Sequence, residues 1–297
     1  MFFKSEEGKT EILELYNQKL QELNIIYTEE CIDTQFGKTN VIITGNAQLP
    51  PLVLIHGTGG CAPLILESFS DLSKHYRVFA VDVLAQPNKS DEHRLDIKSL
   101  DYGHWLLEVI IKLGLKNVTL VGFSFGGLIS LKALEFSQIP IKEVFLIAPV
   151  YIVNGNPFVN LWKLFIPLKK FIKSNDKKQI TKVMNVLFSE YDVFAFNFLS
   201  RSFQNCNMDF SPLPIITKKS ARDIETPITI FATENDIMFP GKKMIKRAKR
   251  IFPSLEEVIL LKASKHVPNT TDFKTIENTI INATEISKNN EFKSFTI

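Results

Sequence analysis

The 297-residue chain is predicted to be an α/β protein: a mostly parallel twisted sheet flanked by helices, with a helical insertion. Three observations predict this. Short, largely apolar runs at 52–55, 77–82, 118–121, 142–148, 227–231 and 258–261 read as strands, and the fully apolar run at 52–55 as one buried on both faces. Segments of helical periodicity separate them, and strands alternating with helices imply parallel pairing with right-handed crossovers. Between 151 and 220 this rhythm breaks, and aromatic-rich helical patterns replace it.

In chain order, residues 9–23 place Ile12, Tyr16, Leu20 and Leu23 on one helical face, which suits a surface helix lying on the sheet. Residues 26–44 alternate as a hairpin broken at Phe36, Gly37 and Lys38. After the strand at 52–55 comes His56-Gly57-Thr58-Gly59-Gly60, then a helix over 64–74 and the strand at 77–82. Residues 85–95 are polar and read as a loop. A helix over 97–113 carries Trp105, Leu106, Val109, Ile110 and Leu113 at core spacing. The strand at 118–121 leads into a helix ending near Phe136, and the strand at 142–148 follows. Helices are then expected through 151–220, where Phe158, Trp162, Phe165, Phe171, Phe188, Tyr191, Phe194, Phe196, Phe198 and Phe203 concentrate. The rhythm resumes with the strand at 227–231, a basic helix over 242–250 and the strand at 258–261. A last helix over 272–287 buries Phe273, Ile276, Ile280 and Ile281, and a polar, frayed tail is expected after it. The domain reading is a core of residues 1–150 and 221–297 with an insertion at 151–220.

Composition narrows the function classes. With 45% hydrophobic residues the chain can bury a sizeable core, and a net charge of +3 makes no case for nucleic acid. Cys31, Cys61 and Cys206 are odd in number and widely spaced, which suits a reducing compartment. The opening residues are too few and too acidic for a secretory signal, and no apolar run is long enough for a membrane span. A cytoplasmic protein, monomeric or homodimeric, is expected. The lysines from Lys169 to Lys182 and the helix at 242–250 read as solvated faces, so membrane contact is not expected, docking on an acidic membrane surface being the alternative. No cluster suggests a metal site, and no cofactor is called for.

The chemistry centres on Gly122-Phe123-Ser124-Phe125-Gly126-Gly127. A serine on a tight strand-to-helix turn has its hydroxyl forced beyond the strand end. Glycines on either side let the arms approach, and the following helix points its positive end at the serine. A serine nucleophile needs a base, and the base an orienting carboxylate. His266, just past the last strand, is the one histidine after Ser124, and parallel strand ends share one edge. Asp236 and Glu234, in the loop after 227–231, are the candidate acids. Asp236 precedes apolar residues that turn back to the core and is favoured, with a helix-cap role as its alternative. The glycine-rich loop at 57–60 leaves backbone N–H groups free, with Thr58 the candidate oxyanion donor. His56 is read as a prop for that loop, and Cys61 as a packing residue. Gly57, Gly59 and Phe123 are expected to border the substrate, with Phe165 and Phe194 as inward-facing rings of the insertion.

The order serine, acid, histidine resembles that of the α/β-hydrolase superfamily, and within it the bacterial carboxylesterase-type members. The segments 34–39 and 52–57, Val81 and Asp82 with Asn88, Lys89 and Ser90, and the elbow at 122–127 carry the likeness. The resemblance implies Ser124 as nucleophile, Asp236 as acid, His266 as base and oxyanion N–H groups at Thr58 and Phe125. It implies a helical cap after the sixth strand. Three positions depart from the family pattern, which often has glycine near Ala85, at Thr233 and at Lys265. Members that open haloalkanes or epoxides carry aspartate at the elbow, so Ser124 implies acyl chemistry on a small-molecule ester. The alternatives are a thioesterase or lipid hydrolase, or a ligand-binding receptor or stress-signalling protein on the same fold.

Overall fold

A computed structural model describes residues 1–136 and 139–294, with side chains as far as residue 283. The N-terminal helix α1 (Glu6–Glu22) starts at Ser5, whose hydroxyl accepts the Gly8 N–H. The hairpin β1 (Tyr27–Thr34) and β2 (Gly37–Thr44) follows, then β3 (Pro51–Ile55), α2 (Ala62–Ser68), α3 (Leu72–His75), β4 (Arg77–Val81) and α4 (Asp101–Lys112). Next come β5 (Val118–Phe123), α5 (Phe125–Leu134) and β6 (Ile141–Ile147). The stretch between β6 and β7 holds α6 (Pro157–Asn160), a π turn (Leu161–Phe165), α7 (Ile166–Ser174), α8 (Lys177–Leu187), α9 (Val193–Asn205) and α10 (Lys218–Arg222). The chain ends with β7 (Ile228–Thr233), α11 (Gly241–Ile251), β8 (Leu255–Leu261) and α12 (Thr270–Ser294).

The strands form one sheet in the order β1-β2-β4-β3-β5-β6-β7-β8. Pairs from β4 to β8 are parallel, and the hairpin is added antiparallel at one edge. Strand side chains alternate between faces. Val53, Ile55, Val118 and Leu120 join one core with α4, α5 and α11. Leu52, Leu54 and Val121 join the other, under α1, α2, α3 and α12. A third cluster, Leu164, Leu168, Phe171, Ile180, Val183, Met184 and Phe203, holds α7, α8 and α9 together.

The strand order reverses at β3, with β4 on one side and β5 on the other. In an open α/β sheet such a switch point leaves a crevice beyond the strand ends. The 56–60 loop and Ser124 therefore flank that crevice.

Three expectations are revised. The helix over 64–74 is two helices, because the buried Glu277 carboxylate of α12 accepts the Asp71 and Leu72 N–H groups and restarts the helix there. The polar loop at 85–95 turns inward: Asn88 donates to the Val83 carbonyl and Ser90 to the Asp82 carbonyl, both side chains buried. The last helix runs past residue 287 to Ser294, and the remaining tail lies outside the described residues.

Candidate active site

Ser124 sits between β5 and α5 with φ 52° and ψ −107°, a conformation that L-residues rarely adopt. The turn closes because its flanks are glycine. A Cβ on Gly122 would lie 2.5 Å from the Gly126 carbonyl oxygen, and one on Gly126 would lie 2.3 Å from that of Ile55. The elbow thus requires glycine at both positions, and it holds Ser124 in its strained state by close packing.

Ser124, His266 and Asp236 are hydrogen-bonded in series. His266 Nε2 lies 2.9 Å from Ser124 Oγ, and His266 Nδ1 lies 2.8 Å from Asp236 Oδ2. With Nδ1 facing a carboxylate, that nitrogen carries the proton and Nε2 presents its lone pair to the hydroxyl. Asp236 is fixed from behind, since its Oδ1 accepts the N–H groups of Met238 at 2.7 Å and Phe239 at 3.0 Å. The rings of Phe123 and Phe239 flank the imidazole, with centroids 5.5 and 5.4 Å away. Glu234 instead pairs with Lys242 at 2.7 Å at the surface, and the hydrogen bond and charge of that ammonium lower its pKa.

The loop after β3 faces the elbow. A Cβ on Gly57 would meet Ser124 Cβ and the Phe123 ring at 3.1 Å. Phe125 N–H, at the first position of α5, is one of the groups a helix leaves unbonded at its N-terminus. No described hydrogen bond takes up the Thr58 N–H. His56 anchors this loop: its Nε2 accepts the Val83 N–H at 3.0 Å, so its Nδ1 carries the proton and donates to the Gly57 carbonyl at 2.8 Å. Full burial lowers its pKa to about 4, so it is neutral and tethers the 56–60 loop to the end of β4. Gln86 adds a second tether, its Oε1 accepting the Gly59 N–H at 2.8 Å.

Asp82 lies beneath. It accepts from Tyr16 Oη at 2.8 Å, Asn40 Nδ2 at 3.0 Å and the Ala62 N–H at 2.7 Å, binding α1 and α2 to the sheet. Burial outweighs these bonds and raises its pKa to about 6. The same burial, with Asp82 nearby, pushes the Cys61 thiol well above its usual range, so it stays a protonated packing group.

The rings singled out in the insertion lie elsewhere. Phe194 lies under the Lys19 ammonium, 4.1 Å from its ring centroid, and stacks on Phe198. Phe165 meets Phe210 edge-on. Neither has a described contact with Ser124, His266 or the 57–60 loop. Leu199 and Met208 take that place: a Cβ on Gly59 would lie 3.0 Å from Leu199 Cδ2 and 3.9 Å from Met208 Cε. No periodicity in the sequence marks those two residues.

The sequence also gave no sign of Ser189. Between α8 and α9 it straddles His266, accepting the Lys265 N–H at 2.8 Å and donating to the Val267 carbonyl at 2.6 Å. Val267 N–H reaches the Leu187 carbonyl at 2.8 Å, and Phe188 pairs with Val267 as a parallel bridge. Lys265, where a glycine was expected, donates from Nζ to the Asn185 carbonyl.

A hydroxyl bonded to an imidazole, the imidazole oriented by a fixed carboxylate, and open backbone N–H groups across a crevice are the parts needed for acyl transfer. The sheet order is that of the α/β-hydrolase fold, and the family model for the alpha/beta hydrolase fold matches residues 50–184. More narrowly, the chain is similar to the carboxylesterase nap of Bacillus subtilis strain 168, with 24% identity over 84% of either chain. It is 30% identical to the carboxylesterase YbfK of the same organism over 43% of each. The crystal structure of the Bacillus subtilis naproxen esterase superposes with a TM-score of 0.80 at 22% identity, covering 94% of this chain and 99% of that one.

Proposed function

We propose that the protein is a carboxylesterase that cleaves uncharged, fairly apolar carboxylic esters through an acyl-enzyme on Ser124. The observation that carries this is the hydrogen-bonded series from Ser124 Oγ through His266 to Asp236. His266 Nε2 takes the serine proton as Oγ attacks the ester carbonyl, and Asp236 stabilises the imidazolium that forms. The oxyanion is met by the N–H groups of Thr58 and Phe125, with the positive end of α5 behind them. His266 then protonates the leaving alcohol. Water, activated by the same imidazole, releases the acid and restores Ser124.

Two of the relatives above are named as carboxylesterases, which favours an ester over a thioester or lactone. The helices at 151–220 act as a cap over the crevice, and Leu199 and Met208 supply its apolar wall beside Thr58. Three free cysteines, two of them buried, favour a cytoplasmic setting.

The test is covalent labelling with a fluorophosphonate, together with burst kinetics on a chromogenic ester. Wild-type protein should label and show a burst, while Ser124→Ala should do neither and lose about a thousandfold or more in turnover. Labelling of the alanine variant at the wild-type rate would overturn the assignment. A chain that labels but releases no acid would point instead to a ligand-binding role.

A further inference from the structure

Residues 157–174 form a continuous helical run with two unlike sides. Leu164, Pro167, Leu168 and Phe171 are buried against the cluster under α8 and α9. The opposite side is open and apolar at its start: Phe158 is 72% exposed, Trp162 68% and Leu161 43%. These three stand at i, i+3 and i+4, so they share one side of the helix. Phe210, also exposed, meets Phe165 edge-on and widens the patch.

The open side then becomes basic. Lys163, Lys169, Lys170 and Lys173 are exposed, and α8 adds exposed Lys177, Lys178 and Lys182. Across residues 157–189 these seven lysines face a single carboxylate, Asp176, which is occupied in capping α8 through the Lys178 N–H. Among the described ion pairs none involves any of the seven. The whole chain carries only +3, so this segment concentrates positive charge that the rest offsets.

We propose that this side of the 157–182 helices docks on the surface of a phospholipid bilayer rich in anionic headgroups. Bulky rings with a neighbouring row of lysines suit the boundary between acyl chains and headgroups, where aromatics sit at the interface and lysine stems reach to phosphate. Juxtaposed lysines are drawn to an anionic leaflet and are screened by salt. A protein partner fits less well, because interface cores are depleted of lysine. No helix among the described residues is long and apolar enough to cross a membrane, so the contact is peripheral. The proposal takes up the alternative to the expectation that the lysines are solvated faces.

The inference stands apart from catalysis and is tested by binding alone. The protein is sedimented with vesicles of phosphatidylcholine and with vesicles of phosphatidylcholine mixed with phosphatidylglycerol. Binding is expected to the mixed vesicles only, with Trp162 emission shifting to the blue, and to fall at least about tenfold at high salt. Phe158→Ser with Trp162→Ser, and separately Lys169→Gln with Lys170→Gln and Lys173→Gln, should each lower the partition coefficient by about tenfold or more. All five positions are exposed and outside the site, so turnover of a soluble ester should be unchanged and reports that the variants are folded. Equal binding to both vesicle types, or no binding to either, overturns the proposal. So does self-association that Trp162→Ser abolishes in the absence of vesicle binding, which would assign the patch to a second copy of the chain.

Discussion

Ser189 Oγ donates to the Val267 carbonyl at 2.6 Å while accepting the Lys265 N–H, so one hydroxyl in the helical insertion grips the backbone on both sides of His266. The loop that carries the imidazole is therefore held by the link between α8 and α9 as well as by β8. Ser124, Asp236 and His266 each follow a strand of the sheet, but the position of His266 is shared with the insertion.

Ser189→Ala should lower kcat by about tenfold with little change in KM, because misplacing a general base costs the transition state more than ground-state binding. The acidic arm of the pH–rate profile should keep its shape while the plateau falls, and Ser189→Thr should restore most of the activity. A parallel rise in KM, or no rescue by threonine, would mean that Ser189 only stabilises the loop.

Asp236 and Glu234 offer a direct comparison. Asp236 is buried, with one oxygen on His266 and the other on two backbone N–H groups, whereas Glu234 makes an open pair with Lys242. Asp236→Asn should cost about ten-thousandfold in kcat by leaving the imidazole in the wrong tautomer. Glu234→Gln should change ester turnover by no more than about twofold, as expected of a surface pair. A Glu234→Gln variant as impaired as Asp236→Asn, with both folded by circular dichroism, would transfer the role of acid.

His56 provides a pH test of how the 56–60 loop is anchored. Its pKa is depressed by burial to about 4. An unfolded histidine titrates near 6.5, so between these values the unfolded state binds more protons and stability rises with pH. The contribution of His56 is thus fully present above about pH 6.5 and is lost as pH falls toward 4. Asp82, raised by burial to about 6, has the opposite sign: its contribution is present below the ordinary carboxylate range and is lost as pH rises through 6. Urea unfolding of wild type and His56→Gln isolates the first effect. The stability difference between them should shrink by about 2 kcal/mol from pH 7.5 to pH 5, given one pKa unit per about 1.4 kcal/mol. A difference independent of pH would show that His56 is not held neutral in the folded state.

What was legible in the sequence was what depends on local pattern. The strand at 118–121, the glycines at 122 and 126, and His266 past the last strand each carry a signal in a few neighbouring residues. What was not legible depends on distant parts meeting. The split between α2 and α3 is imposed by Glu277 of α12, far along the chain. Ser189 and Gln86 are ordinary polar residues until the fold brings Val267 and Gly59 to them. Ala85 falls where a glycine was expected, and its φ of 51° shows why: the chain there takes a left-handed turn that an alanine enters with strain. Aromatic content in the insertion was visible, but which rings face the crevice was not, because helix rotation is set by the packing of Leu164, Leu168 and Phe171.

In the mechanism proposed above, Thr58 and Phe125 hold the substrate's carbonyl oxygen, and this directs its acyl chain past the 57–60 loop. The side chains closing on that loop are Leu199 of α9 and Met208 just beyond it, both packed against the insertion's own cluster. An apolar wall binds each added methylene by removing it from water, at about 0.8 kcal/mol, or roughly fourfold in kcat/KM per carbon. The gain must stop when the chain reaches Leu199, since overfilling a packed wall is itself costly. Charged acyl groups gain nothing there, because an unpaired charge against leucine and methionine is poorly solvated. In a series of p-nitrophenyl esters, kcat/KM should therefore rise with chain length to an optimum and then fall. Leu199→Ala should move that optimum to longer chains. Phe194→Ala should leave it in place, because that ring lies under Lys19 on α1 and touches Phe198. A flat wild-type profile, or an optimum moved by Phe194→Ala and untouched by Leu199→Ala, would mean that the acyl chain leaves Ser124 by another route.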